Sequence, residues 1–479
     1  MSDAVKLHEP KRGERLRHRG MAALAAAGLT LLIGVFSAFR ASAQLLDLPQ
    51  TVAPPQPAAL DAQLPTGAER EAATRPAPAA NPACSPRRPV CVHAAPGVTG
   101  DVALALLSAL EQAYERLVLV SGLPSPRADR GLGGSDALDL YLTHVATEGA
   151  AELSVSHDWS LAAAFDEAPG FCMLGLPARA GPDQLERWAT LCVGELVQLR
   201  LDASEAPHTR RAVATHWGQM LGRPTTDDFR VFDDMQAHPE RGFARRERDG
   251  SSAGASLFFE YIEQTRSNAA PAVLSASLVA LSAGKSDPAS ARWNNEPDWL
   301  DVFRHSFRED RPAIAGALAD FAVARAFLGS RDDGRHLPSL AWLGDFGRVR
   351  FDWVLRYSSL PRRVAATRPI EPTGSIYVWL DLDELDLGSV VGFQATWERP
   401  VAFKWSLVRV DKDGVELSRI DVPFQERASS VEARATELEA AAALLIVGTN
   451  MGGVDLAHPF DPDTGPFEPH GCLIYLAKL

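Results

Sequence analysis

The sequence predicts an α+β chain: a mostly helical region over residues 84–340, then a small antiparallel β-sandwich over 341–479. Two observations carry this. Apolar residues recur with helical spacing through most of the first region, and from about residue 340 they alternate with a period of two. Asp413-Gly414 also lies between two alternating runs, which is a hairpin signal.

The N-terminus reads as an export signal. Lys11, Arg12, Arg15, Arg17 and Arg19 precede an apolar run from Met21 to Phe39, and Ala41-Ser42-Ala43 follows as a small-residue cleavage site. The run is longer than the usual ~7–15 residues of a signal peptide, so an uncleaved anchor is the competing reading. The small-residue site and the lack of a basic stop-transfer cluster favour cleavage after residue 43. Residues 44–83 are rich in Pro and Ala and poor in large apolar side chains. They predict an extended linker without a core of its own. The expected location is therefore secreted, periplasmic or cell-envelope, with membrane contact only through an uncleaved signal segment.

The formal charge is −13 over 479 residues; residues 1–43 hold seven basic and three acidic side chains, so the remainder carries −17. Such a field repels phosphate backbones and excludes nucleic acid as the expected partner. In an oxidising compartment Cys84 with Cys91, and Cys172 with Cys192, are disulfide candidates, although spacing leaves the pairing open. Cys472 remains over, in a predicted strand. With no Cys-x-x-Cys in the chain, metal binding by these thiols is not expected.

Helical stripes are predicted over 101–120, 183–201, 211–221, 255–267, 270–283, 298–307 and 311–328. Pro297 and Pro312 mark two helix starts. Early strands are predicted over 137–142 and 170–176. Later ones are predicted over 375–382, 390–397, 401–410, 415–422, 442–449 and 471–476.

The helix from Asp183 to Leu201 carries the most chemical information. Trp188, Leu191, Cys192, Glu195 and Leu199 share one stripe, which places a carboxylate on an apolar face. Buried glutamates are rare unless paired or ligated, and a neighbouring arginine or backbone amide is the structural account of this one. A zinc peptidase helix has His-Glu-x-x-His, in which two histidines bind the metal and the glutamate activates water. The corresponding residues here are Gly194-Glu195-Leu196-Val197-Gln198.

From these residues and their surroundings the chain resembles the secreted bacterial gluzincin-type metallopeptidases that end in a β-sandwich. A strand at Asp139–Leu142 and one near Phe171–Leu174 precede the motif helix, as in that family. A second helix follows with Ala212-Val213-Ala214-Thr215-His216-Trp217, then Ser256-Leu257-Phe258-Phe259-Glu260-Tyr261, then the terminal sandwich. The resemblance implies that Glu195 holds the general-base position and that Gly194, Gln198 and Ala212 hold the three ligand positions. It also implies that His216 and Trp217 lie by the cleft. Glycine and alanine offer no donor and glutamine is a poor zinc ligand, so no zinc and no other cofactor is expected.

The expectation is an inactive metallopeptidase-like protein that serves as a binding or scaffold protein for a protein or peptide. The alternatives are an active hydrolase with a non-standard site around Glu195, and an envelope interaction protein that uses its sandwich. In the last, Trp379, Trp397 or Trp405 would stack on sugars unless they are sandwich core. His144 and His157 lack metal-like spacing, and Ser154 to Asp158 lacks the nucleophile elbow of a serine hydrolase. The acidic groups Asp381, Asp383, Glu384 and Asp386, and Asp461 with Asp463, read as solvated turns.

Overall fold

The computed structural model describes residues 75–146, 152–157, 167–177, 180–203, 205–221, 226–245, 249–266, 298–385, 388–454, 456 and 468–479. The signal segment 1–43, the linker as far as residue 74, the helix expected over 270–283, and Asp158, Asp386, Asp461 and Asp463 lie outside the described residues, as does the side chain of His157.

Among the described residues helices combine with three sheets, two of them mixed, and the fold is α+β. The first sheet contains β1 (Ala83–Cys84), β2 (Val90–Ala94), β3 (Leu138–Ala146), β4 (Glu152–His157) and β5 (Gly170–Pro177), in the order β1-β2-β3-β5-β4. β2, β3 and β5 run parallel, while β1 and the edge strand β4 run antiparallel. Alternation sorts the side chains of β3 by face. Leu138, Leu140 and Leu142 join the apolar core, while Asp139 and Tyr141 project to the other side. Helices α1 (Gly100–Tyr114) and α2 (Pro182–Leu201) cover the apolar face with Leu106, Leu110, Leu196 and Leu199. Past Tyr114, the stripe expected to run to residue 120 continues in wider turns over Glu115–Val120.

Disulfides join Cys84 to Cys91 and Cys172 to Cys192. The second ties β5 to α2. Cys472 is free and buried, and burial pushes its thiol up to about 12. No helix among the described residues is long and apolar enough to cross a membrane.

Among the described residues five more α-helices follow: α3 (Pro207–Leu221), α4 (Thr226–Ala237), α5 (Ser256–Arg266), α6 (Trp299–Ser306) and α7 (Arg311–Ala326). Helix α7 is apolar nearly all round, as befits a helix buried on both sides. Ile314, Ala315, Leu318 and Phe321 enter the first core. Ala322, Val323 and Ala326 pack instead on Tyr377, Val408 and Val447 of the second sheet. The Tyr377 hydroxyl donates to the Ala322 carbonyl at 2.7 Å. One helix thus spans the boundary expected near residue 340.

The remaining strands are β6 (Trp353–Arg356), β7 (Arg362–Ala365), β8 (Ser375–Asp381), β9 (Val391–Trp397), β10 (Val401–Val410), β11 (Glu416–Asp421), β12 (Ser430–Ala435), β13 (Ala443–Gly453) and β14 (Cys472–Lys478). They form a five-stranded sheet, β11-β10-β13-β8-β6, and a four-stranded sheet, β12-β9-β14-β7. The first of these is not wholly antiparallel, because β6 runs parallel to β8. Phe393, Trp405, Leu407, Ile446, Ile474 and Leu476 from both sheets share one core. All ten residues of β10 are buried, since α7 covers one face of its sheet and the four-stranded sheet the other.

Trp397 and Trp405 are core residues, 8% and 1% exposed. Trp379 stacks on Phe351 at 5.4 Å, and its indole N–H donates to Asp381 at 2.6 Å. Neither Trp397 nor Trp405 therefore forms an open stacking platform. A Cβ at position 448 would come within 2.4 Å of the Trp405 ring, so Gly448 is what allows the indole to lie flat over β13. Asp413-Gly414 does make the turn between β10 and β11, with Gly414 at φ +83°.

Candidate functional site

Helices α2 and α3 run antiparallel and meet along a seam that steps by four residues on each. A Cβ at Gly218 would sit 3.4 Å from Thr190. One at Gly194 would sit 3.0 Å from Ala214 Cβ and 3.7 Å from Trp217 Cε3. The side-chain amide of Gln198 donates to the Arg210 carbonyl at 2.6 Å. Small residues at the crossing let the two backbones approach closely. Gly194, Gln198 and Ala212 are all on this buried helix pair. The α3 residue nearest to Gly194 is Ala214, however, and Gln198 reaches main chain.

Glu195 is 2% exposed beside this seam. The Arg211 guanidinium, 4% exposed, brings Nε to 2.6 Å from Glu195 Oε1. Its Nη2 donates to the Leu153 carbonyl of the edge strand β4 at 3.2 Å. One arginine thus joins α3, the carboxylate on α2 and the edge of the first sheet. Sequence reasoning named an arginine as one structural partner for Glu195 without identifying it. Arg210-Arg211 within an apolar helix was the available signal.

His216 and Trp217 are 0% and 2% exposed. Trp217 packs toward Gly194, whereas His216 faces α5. The His216 ring lies between two carboxylates, with Nδ1 3.2 Å from Glu260 Oε2 and Nε2 3.9 Å from Glu263 Oε1. Burial opposes charge on the ring, but the two flanking glutamates outweigh it and hold the imidazole above its ordinary pKa. Burial also disfavours charge on Glu260, yet the His216 ring beside it and hydrogen bonds from Ser339 and Gln264 hold its carboxyl down at about 2. Because the two glutamates flank opposite edges of the ring, they form an ion-pair bridge between α3 and α5.

Glu205, in the turn between α2 and α3, was not singled out by the sequence. It is 1% exposed and accepts the backbone N–H groups of Ala206 at 2.9 Å and Trp299 at 3.2 Å. Burial and the neighbouring Asp202 push its carboxyl up to about 8. It docks the start of α6 on this turn.

A cavity bordered by Arg187, Thr190, Gly218 and Asp228 holds about 30 Å³, space for a water molecule. A roomier cavity of about 330 Å³ lies elsewhere, between α7 and the second sheet, beside Gly316, Asp320, Lys404, Arg419 and Phe424.

Neither a protein-family model nor a curated protein matches the chain. Among solved structures, the pre-peptidase C-terminal domain of collagenase from Bacillus anthracis aligns at 11% identity, covering 27% of this chain and 98% of that one, with a TM-score of 0.17. CorA, a surface-associated copper-binding protein of Methylomicrobium album BG8, aligns at 10% identity over 26% and 98%, also at 0.17. The xylan-binding domain of Xyn10C from Paenibacillus barcinonensis aligns at 13% identity over 21% and 62%, at 0.14. Scores this low carry no argument about fold or function.

Proposed function

We propose that this chain is an exported, catalytically inactive metallopeptidase-like protein that acts by binding a protein or peptide. The observation that carries the reading is the Arg211 guanidinium, buried against Glu195 and bonded to the β4 edge strand. A general base must reach water and substrate. This carboxylate instead meets a fixed cation inside the protein.

Other features support the same reading. The order of elements follows the resemblance: β3, then β5 leading into the motif helix α2, then α3 and α5, then two facing sheets that fit a terminal sandwich. The residues at the ligand positions do not suit zinc. Gly194 is a packing contact, Ala212 has no donor side chain, and the amide of Gln198 is a poor zinc ligand. Acidity continues to disfavour nucleic acid, and the two disulfides suit an oxidising compartment.

The test is a peptide-library cleavage assay on the native chain and on Glu195→Gln. The reading expects no turnover in either protein. Turnover in the native chain that disappears in Glu195→Gln would restore the alternative of an active hydrolase. Mass spectrometry of the exported protein checks processing, with Gln44 expected as the first residue.

A further inference from the structure

The face of the first sheet opposite α1 and α2 presents His93 from β2, Asp139 and Tyr141 from β3, and Phe171 from β5. All four are at most 3% exposed. What covers them includes the tail of the Pro/Ala-rich segment. The Arg75 guanidinium enters there. Its Nη1 lies 2.6 Å from Asp139 Oδ2 and 2.8 Å from Asp129 Oδ2, and it donates to the Tyr141 hydroxyl at 3.5 Å. Its central carbon sits 4.7 Å above the Phe171 ring.

Contacts besides those of Arg75 also shape the pocket. Asp129 accepts the backbone N–H groups of Gly131 at 3.0 Å and Gly133 at 3.3 Å. A Cβ at position 133 would lie 1.6 Å from Asp139 Oδ2, so only glycine lets this loop close on the carboxylate. His93 stacks on Tyr141 at 4.6 Å. Its Nδ1 accepts the Ala79 N–H at 3.2 Å, so the ring proton sits on Nε2 and is donated to Asp139 Oδ1 at 2.9 Å. The histidine thereby ties the strap 75–82 to the same carboxylate that Arg75 meets.

The chemistry suits a guanidinium better than an ammonium ion. A flat cation can lie on an aromatic face while its separate N–H groups meet two carboxylates, whereas a lysine offers a compact and strongly hydrated point charge. Two buried carboxylates side by side also need a cation between them. Burial raises the Asp129 carboxyl, Asp139 adds to the rise, and Arg75 opposes it.

We propose that this pocket is a guanidinium-recognition site in which Arg75 is the resident ligand, latching the end of the Pro/Ala-rich segment onto the folded body. When Arg75 is removed, the pocket takes a small guanidinium compound or the arginine side chain of another chain. The inference rests on the face of the first sheet opposite α1 and α2 and does not depend on the peptidase-like reading.

The test uses the full mature chain, its Arg75→Ala and Arg75→Lys variants, and millimolar methylguanidinium or methylammonium. Arg75→Ala lowers the melting temperature and speeds hydrogen exchange at the Ala79 amide by roughly tenfold or more, as expected when about 1.4 kcal/mol of local protection is lost. Methylguanidinium restores both in a saturable manner, methylammonium does not, and the native chain responds to neither. Arg75→Lys keeps the charge and still shows the loss, and it serves the same comparison if Arg75→Ala does not accumulate as folded protein. Unchanged Ala79 exchange in both variants, or equal rescue by the two cations, would overturn the proposal.

Discussion

Replacing Arg211 by alanine strips the counter-charge from a carboxylate that is 2% exposed and removes the bond from α3 to the Leu153 carbonyl. Breaking a buried pair by deleting one partner costs about 3–5 kcal/mol, because the remaining charge stays buried and uncompensated. A lost charged hydrogen bond adds about 1.5–3 kcal/mol when its acceptor is left unsatisfied. Some of that overlaps with the first figure, so Arg211→Ala should lose about 4 kcal/mol. That is nearly a thousandfold in the folded-to-unfolded ratio. Urea unfolding followed by near-ultraviolet circular dichroism measures it. The double variant Glu195→Leu/Arg211→Met, which replaces both charges with apolar groups of similar volume, should recover most of the loss. A loss below about 1 kcal/mol in Arg211→Ala, the range of an exposed pair, would refute the reasoning.

Other expectations follow from the same geometry. Gly194→His must place a ring where even a Cβ would lie 3.0 Å from that of Ala214, and should destabilise by about 1–3 kcal/mol or more, as seen in unfolding midpoints. The His216–Glu260 bridge should be strongest between about pH 4.5 and 6.5. Glu260 has its folded pKa depressed from 4.5 to about 2, so its contribution fades as pH falls through that interval. His216 has its folded pKa raised above 6.5, so its contribution is full below 6.5 and fades as pH rises through the folded value. His216→Gln should remove that alkaline loss, read as a flatter stability curve above pH 6.5. Glu205 has its folded pKa raised from 4.5 to about 8, so its contribution is present below pH 4.5 and is lost as pH rises toward 8. Glu205→Gln should then be more stable relative to the native chain at pH 9 than at pH 5, measured by urea titration at both.

Much of this was legible in the residues, and the exceptions have physical causes. The helical stripe of α2 already placed Glu195 on an apolar face, because side-chain direction follows from local periodicity. Its partner Arg211 was not legible, since which α3 residue meets it depends on how two helices cross. The same holds for Gly194, whose neighbour Ala214 is set by the seam. Helix α3 starts at Pro207, four residues before the apolar stripe expected at 211, because its first turn carries polar and charged groups that are buried by tertiary contacts. Strand β12 was missed because Glu432 and Arg434 alternate with small apolar residues and dilute the strand signal. Strands β6 and β7 are short and largely exposed, so little hydrophobic pattern marks them. The linker was read from composition alone, which cannot register that its last residues reach a pocket through one arginine.

In the proposed reading the α2–α3 pair is a packed, ion-paired scaffold where the resemblance implies a metal centre. The most direct test is the zinc content of the purified mature chain after dialysis against zinc, combined with its unfolding midpoint with and without a chelator. A packed, ion-paired α2–α3 scaffold should hold well under one zinc per chain and keep its midpoint unchanged. One tightly held zinc per chain, lost together with stability on chelation, would contradict it.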